Sequence, residues 1–193
     1  MDLIDNHLEQ SLQALTLLRQ SADLKAATMQ VADALTKCLL AGGKILLAGN
    51  GGSAGDAQHI AGEFLSRLNF DRAPLAAIAL STDTSVLTAV GNDYGYEKVF
   101  ERQVLGLAKP GDVFIAISTS GRSPNILRAL EAGRKIGCVN IGLGGAQSPM
   151  AEYCDICLQM PSTSTPLVQQ LHMVIAHALC GLVEHNIFAT KGI

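Results

Sequence analysis

Lys44-Ile45-Leu46-Leu47-Ala48-Gly49-Asn50-Gly51-Gly52-Ser53-Ala54-Gly55-Asp56-Ala57-Gln58-His59-Ile60-Ala61-Gly62-Glu63 is the stretch whose reading decides the fold. The apolar run with Lys44 at its head, through Ala48, reads as a buried strand. Asn50-Gly51-Gly52-Ser53 then reads as a turn whose backbone can approach a ligand closely, with Ser53 placed to cap a new helix. On that helix His59 and Glu63 stand four residues apart, so both side chains leave one face. A helix N-terminus ready for an anion, one or two turns before a His/Glu pair, suits a small phosphorylated substrate.

Working outward, the strand–turn–helix pattern repeats. Helix is expected from Ser53 to about Leu68, strand over Ala76–Leu80, and helices over Thr82–Val90 and Tyr96–Leu107. Strand Val113–Ile117 follows, with helix Pro124–Ile136, strands Cys138–Leu143 and Ile156–Met160, and a closing helix Leu167–Glu184. Strands alternating with helices define an α/β fold, a parallel sheet flanked by helices on both faces. Ahead of it, Leu8, Leu12, Leu15 and Leu18, then Leu24, Met29, Val31, Leu35 and Leu39, mark two helices broken near Gln20-Ser21-Ala22-Asp23. This N-terminal helical pair over 1–41 is not needed to build the 44–187 core, so we expect it to form a homo-oligomer contact. No linker or low-complexity segment interrupts the chain, which reads as a single domain over 1–193.

Bulk properties narrow the class. At 193 residues the chain can bury a full core, and 48% hydrophobic residues with 19 Gly suit tight strand–helix turns. A net charge of −3 supplies no basic stripe, so nucleic acid is not expected as a partner. No apolar run reaches the roughly 18 residues of a membrane span, and the acidic start Met1-Asp2-Leu3-Ile4-Asp5 does not read as a secretory leader. The expectation is a cytoplasmic protein with no membrane association, its five Cys reduced. Cys154-Asp155-Ile156-Cys157 falls in a strand-like stretch and reads as core packing rather than a redox or zinc pair.

Ligands of such sheets bind beyond the carboxyl ends of the strands. Two loops there stand out, Gly49-Asn50-Gly51-Gly52-Ser53 and Ser118-Thr119-Ser120-Gly121-Arg122-Ser123. Hydroxyls and backbone N–H groups at a helix N-terminus hold phosphate without lysine. The chain has neither the Lys-containing P-loop nor G-x-G-x-x-G, so no nucleotide cofactor is expected. A helical His-x-x-x-Glu alone is most often a surface pair worth a few tenths of a kcal/mol. The closing helix adds Gln169 and His177, about 80° apart around the axis and able to share a broad face. His172 is turned about 140° from His177. His7 and His185 read as surface residues.

Ala48-Gly49-Asn50-Gly51-Gly52-Ser53, Gly91-Asn92-Asp93-Tyr94-Gly95, Ile117-Ser118-Thr119-Ser120-Gly121-Arg122-Ser123 and Gln169-Gln170-Leu171-His172 lie in order along the chain. In these motifs and their spacing the chain resembles the sugar isomerase (SIS) domain family, and within it the phosphoheptose isomerase branch. The likeness covers nearly the whole chain. It implies a SIS-domain α/β fold and interconversion of sedoheptulose 7-phosphate and D-glycero-D-manno-heptose 7-phosphate through an enediolate, at the start of ADP-heptose and lipopolysaccharide core synthesis. It implies substrate contacts at Asn50, Gly51, Gly52, Ser53, Glu63, Arg67, Asn92, Asp93, Ser118, Thr119, Ser120, Ser123 and Gln169. Glu63 and His177 fall on the family's catalytic pair. His59, Glu63, Gln169 and His177 fall on its metal positions, with Zn²⁺ the implied ion, and the implied assembly is a homotetramer with sites between subunits. A carboxylate bound to metal is a weaker base, so a catalytic, structural or inhibitory metal all stay open. Gly142-Leu143-Gly144-Gly145-Ala146 departs from the family by lacking a threonine-glycine loop.

Two other classes compete. Non-catalytic SIS proteins of the replication-initiator-associating type act by protein contact, but lack acid/base residues at the positions of Glu63 and His177, which this chain keeps. An isomerase of another sugar phosphate would share the same loops, since these specify phosphate and enediolate more firmly than chain length.

Overall fold

In the computed structural model, which describes residues 2–189, the chain opens with α1 (Leu3–Gln20) and α2 (Ala22–Leu40). Ser21 alone separates them and serves both. Its N–H donates to the Leu17 and Leu18 carbonyls, and its Oγ accepts the Leu24 N–H at 3.2 Å. One residue thus closes one helix and caps the next.

Strands β1 (Ile45–Gly49), β2 (Ala77–Ala79), β3 (Val113–Ser118), β4 (Val139–Gly144) and β5 (Ile156–Gln159) form one sheet in the order β2-β1-β3-β4-β5. All pairings are parallel, with Leu47 beside Ala79 and Ile115. The chain leaves β1 toward β2 on one side and resumes at β3 on the other. The loops after β1 and β3 therefore part and leave a crevice at the carboxyl ends.

Helices α3 (Gly52–Leu65), α4 (Thr84–Tyr94), α5 (Val99–Leu107), α6 (Pro124–Ile136) and α7 (Thr165–Phe188) cover the sheet. Ile45, Leu47, Val113, Ile115 and Ile117 pack with α2, α3 and α7 on one face, while Leu46, Ala48, Phe114 and Ala116 pack with α5 and α6 on the other. Burial on both faces is why β1 and β3 are continuous apolar runs rather than alternating ones. The α/β sheet with helices on both faces and the N-terminal pair are as the sequence predicts.

Some boundaries differ for physical reasons. Helix α3 stops at Leu65, not Leu68, because the Glu184 carboxylate takes the Leu68 and Asn69 N–H groups away from the helix. Helix α4 starts later and runs four residues past Val90, so Asn92 and Asp93 are helical rather than in a loop; Asp83 caps its start at 3.0 Å. A short 3₁₀ turn at Tyr96–Lys98 precedes α5 where one continuous helix is expected. Against the expectation of no membrane-length apolar segment, α7 has the length and composition to cross one, with a mean hydropathy of 1.4. Half of that stretch is buried within the fold, where α7 lies against α2 and α3 as a core helix. Helix α1, by contrast, leaves Leu3, Ile4, Leu8 and Leu12 exposed.

Candidate active site

The turn after β1 owes its shape to two glycines. Gly51 has φ +56°, a region L side chains rarely enter, and it stands as N-cap of α3. Gly52 lies against Gln169 of α7, where a Cβ would run into the side-chain amide. Ser53, expected to cap α3, does not; it is buried in the first turn with its N–H on the Asn50 carbonyl. The cap position is one residue before the helix, and that position is Gly51, which has no side chain to cap with.

Asn50 joins this turn to the one after β3. Its Nδ2 donates to Asn125 Oδ1 at 2.9 Å, and Asn125 Nδ2 donates back to Asn50 Oδ1 at 2.9 Å. Tyr96 donates its hydroxyl to the same Asn50 oxygen at 3.3 Å. Asn125 is buried in the first turn of α6, so the amide pair ties both ligand loops together across the crevice.

Behind this pair lies a cleft of about 200 Å³, lined by Asn50, Ser53, Ser118, Thr119, Ser120, Ser123, Thr165 and Gln169. Its wall comes from the starts of α3, α6 and α7, so three helix N-termini turn their partial positive charge toward it. Ser118 Oγ accepts the Gly121 N–H at 3.2 Å and lies 3.4 Å from Ser123 Oγ. Ser120 Oγ accepts the Arg122 N–H at 3.3 Å. The loop after β4, which lacks the family's threonine-glycine pattern, braces this one through Gly145 N–H on the Thr119 carbonyl. Three larger hollows, about 430 Å³ against α2, about 560 Å³ beside β2 and about 340 Å³ among α1, α2 and α7, lie away from these loops. Chemistry rather than size marks the small cleft.

Two turns along the same helices, His59 and Glu63 of α3 meet His177 of α7. His59 Nε2 is 3.3 Å from Glu63 Oε1 and 2.9 Å from His177 Nε2. One ligand atom from each lies within 4.8 Å of the others. Two imidazole nitrogens and a carboxylate oxygen are a donor set that suits zinc. Glu63 is 20% exposed and His59 48%, so the cluster opens to solvent.

The remaining expected residues lie elsewhere. Gln169 shares a face with His177 but sits eight residues earlier, ~12 Å of helix rise, and belongs to the cleft. Arg67 is exposed beyond the end of α3. Asn92 and Asp93 are exposed on the last turn of α4, Asn92 Nδ2 donating to Asp93 Oδ1 at 2.8 Å. His172 is buried and donates to the Gly144 carbonyl at 3.2 Å; burial pushes its imidazole down to about 4, so it stays neutral. Sequence reading missed Asn125, Thr165 and Tyr96. Asn125 directly follows Ser123-Pro124, and Thr165 begins α7 within Ser162-Thr163-Ser164-Thr165, so the hydroxyl-rich helix starts were the available signal.

A model of the SIS domain matches residues 10–145. The fold is thus that of a SIS domain. The phosphoheptose isomerase of Burkholderia pseudomallei (strain 1710b) is 52% identical over 189 residues, 97% of this chain and 96% of the relative. The solved phosphoheptose isomerase of Francisella tularensis superposes with a TM-score of 0.90 at 36% identity, and that of Neisseria gonorrhoeae with 0.87 at 39%. Each comparison covers 94% of this chain and 96% of the other. The chain belongs to the phosphoheptose isomerase family.

Proposed function

We propose that this protein interconverts sedoheptulose 7-phosphate and D-glycero-D-manno-heptose 7-phosphate, with Glu63 and His177 as the acid/base pair. The observation that carries the reading is the meeting of Glu63, His59 and His177 on the two helices that also wall the hydroxyl-lined cleft. The phosphate sits in that cleft, held by Ser118, Thr119, Ser120 and Ser123 and by the helix N-termini. Asn50, Gly51, Gly52, Ser53 and Gln169 lie along the sugar. Along α3 from Gly52, His59 stands seven residues on, ~10 Å, and Glu63 eleven, ~16 Å.

Glu63 takes the proton from the carbon beside the carbonyl, leaving an enediolate. His177 moves the proton between the two oxygens, and Glu63 returns its proton to the neighbouring carbon. Anchoring the distant phosphate orients the reacting end. His59, Glu63 and His177 would hold Zn²⁺, which supplies polarisation of the carbonyl when bound. Gln169 is assigned to substrate; as a fourth zinc ligand it would have to come from a neighbouring copy.

The chain acts as one SIS domain in a cytoplasmic homotetramer, at the entry to ADP-heptose and lipopolysaccharide core synthesis. The exposed leucines of α1 supply an association surface, and Arg67, Asn92 and Asp93, exposed in a single chain, face sites formed between subunits. The test is a coupled assay across five-, six- and seven-carbon ketose phosphates, with and without chelator. Turnover on the seven-carbon substrate, abolished in Glu63→Gln, is expected. Turnover confined to a shorter sugar, or normal turnover in Glu63→Gln, overturns the reading.

A further inference from the structure

Behind the His59/Glu63/His177 cluster stands a buried ion pair to which the motifs assign no role. Arg72 and Glu184 have side chains only 3% and 1% exposed, with Arg72 Nε 3.1 Å from Glu184 Oε1. The rest of the guanidinium is spent on main-chain carbonyls. Nη2 donates to the Glu63 carbonyl at 2.7 Å, and Nη1 to those of Phe64 at 2.6 Å, Ser66 at 3.0 Å and Ala73 at 3.1 Å. The Glu184 carboxylate accepts the N–H groups of Leu68 at 3.1 Å and Asn69 at 2.9 Å, and Asn69 Nδ2 at 3.0 Å. Phe188, one turn on along α7, lies beneath the guanidinium with its ring centre 5.8 Å from Cζ.

Helix register gives this network its meaning. Glu184 is seven residues after His177, two turns on, and turned only about 20° from it around α7. Gly181, between them, has Asn69 close enough to touch any Cβ placed there. The face of α7 that presents His177 therefore also receives the chain leaving α3. At the other end of the link, Arg72 holds the main chain of Glu63 itself.

We propose that Arg72 and Glu184 are positioning residues for catalysis, a strut that fixes the separation and rotation of Glu63 and His177. The proposal rests on the assignment of those two as the acid/base pair. A pair two turns along α7 from His177, with Arg72 on the main chain of Glu63, is the economical place for such a strut. It adds rigidity where two helices must hold two side chains within hydrogen-bonding distance, and it leaves the cleft at the far ends of α3 and α7 untouched. Arg is required rather than Lys because one planar fork must reach four carbonyls and a carboxylate together.

The test compares Arg72→Lys, Glu184→Gln, Glu63→Gln and Asp112→Asn, each assayed as folded protein with its melting temperature recorded. Asp112 pairs with Lys44 where the inner strands β1 and β3 begin, so Asp112→Asn removes an ion pair that bonds to none of the cluster or strut residues. The strut requires kcat for sedoheptulose 7-phosphate to fall at least tenfold in Arg72→Lys and Glu184→Gln while KM changes less than threefold. Zn²⁺ affinity, titrated calorimetrically without substrate, is expected to weaken about tenfold in the same two variants. Asp112→Asn is expected to lose melting temperature and keep both kcat and Zn²⁺ affinity. If Arg72→Lys and Glu184→Gln behave like Asp112→Asn, the pair is merely structural and the proposal is overturned. If Glu63→Gln retains normal kcat, it is the assignment of Glu63 that fails. If neither strut variant folds, Zn²⁺ titration of Glu184→Asp, which keeps the charge on a shorter arm, decides by the same tenfold criterion.

Discussion

Glu63 stands with one side on solvent, one on His59 and its own carbonyl on Arg72, so its side chain is free to work while its main chain is not. Replacing it by Gln keeps volume and removes the proton acceptor. We expect kcat to drop by about 10²–10⁴-fold, with the melting temperature shifting by no more than a few degrees because the side chain is partly exposed. Asn125 makes a different prediction. Asn125→Ala deletes both bonds of the amide pair and leaves the Asn50 amide short of partners, which should cost ~1–3 kcal/mol in urea unfolding and raise KM, since Asn50 lines the cleft. An unchanged KM would show that the two loops hold their places without it. At this scale the sequence was informative about residue types and less so about depth. His59 and Glu63 are legible as a pair from four-residue spacing, whereas their joining with His177 and Gln169 is implied only by the family resemblance. Of those two, the structure brings His177 to the pair, and the rise along α7 keeps Gln169 at the cleft. Arg72 and Glu184 could not be seen at all, since nothing local relates residues more than a hundred positions apart.

Among the elements, α3 and α7 bring together His59, Glu63 and His177, and the turn at Ser21 carries the least redundant link. The Ser21 hydroxyl caps α2 while its N–H closes α1, so Ser21→Ala is expected to lose ~1 kcal/mol and Ser21→Gly only a few tenths, measured by urea unfolding. Equal losses would mean the hydroxyl contributes nothing. Element boundaries followed the sequence wherever local chemistry set them: Ser123-Pro124 opens α6 and Gly137 closes it at the expected residues. They departed where tertiary groups intervened. Helix α3 ends early because Glu184 competes for its next N–H groups, and Ser53 loses its capping place to Gly51 because the backbone must bend tightly to lie beside Gln169. The apolar run of α7 was visible, but its full length was not, because Thr165-Pro166 reads as loop until three-dimensional context makes it a first turn.

For the molecule as a whole, two buried carboxylates govern acid stability. Burial pushes the Glu184 carboxyl up, but hydrogen bonds from Asn69, Leu68 and Arg72 outweigh it and hold it below the ordinary 4.5. Burial likewise raises Asp112, and its bonds from Lys44 and Lys109 bring it below 3.8. Lowered folded values mean the unfolded chain takes up protons first. The stability these groups add is complete above their ordinary values and drains away as pH falls below about 4.5 through the folded values. We expect the urea midpoint to decline below that pH, and Glu184→Gln to flatten the decline; a decline of equal slope in the variant would assign it to other groups. A second prediction concerns assembly. Leu8→Lys with Leu12→Lys places charge on the exposed apolar stripe of α1 and should shift sedimentation toward smaller species without altering the circular dichroism spectrum.

The sheet's two outer strands, β2 and β5, are three and four residues long. Too few free N–H and C=O groups line its margins to template a foreign strand, which guards against edge-to-edge aggregation. Any self-association is thereby left to helical surfaces, and an appended helix pair can be redesigned for a new stoichiometry while the hydrogen-bonded ladder beneath the loops after β1 and β3 stays as it is.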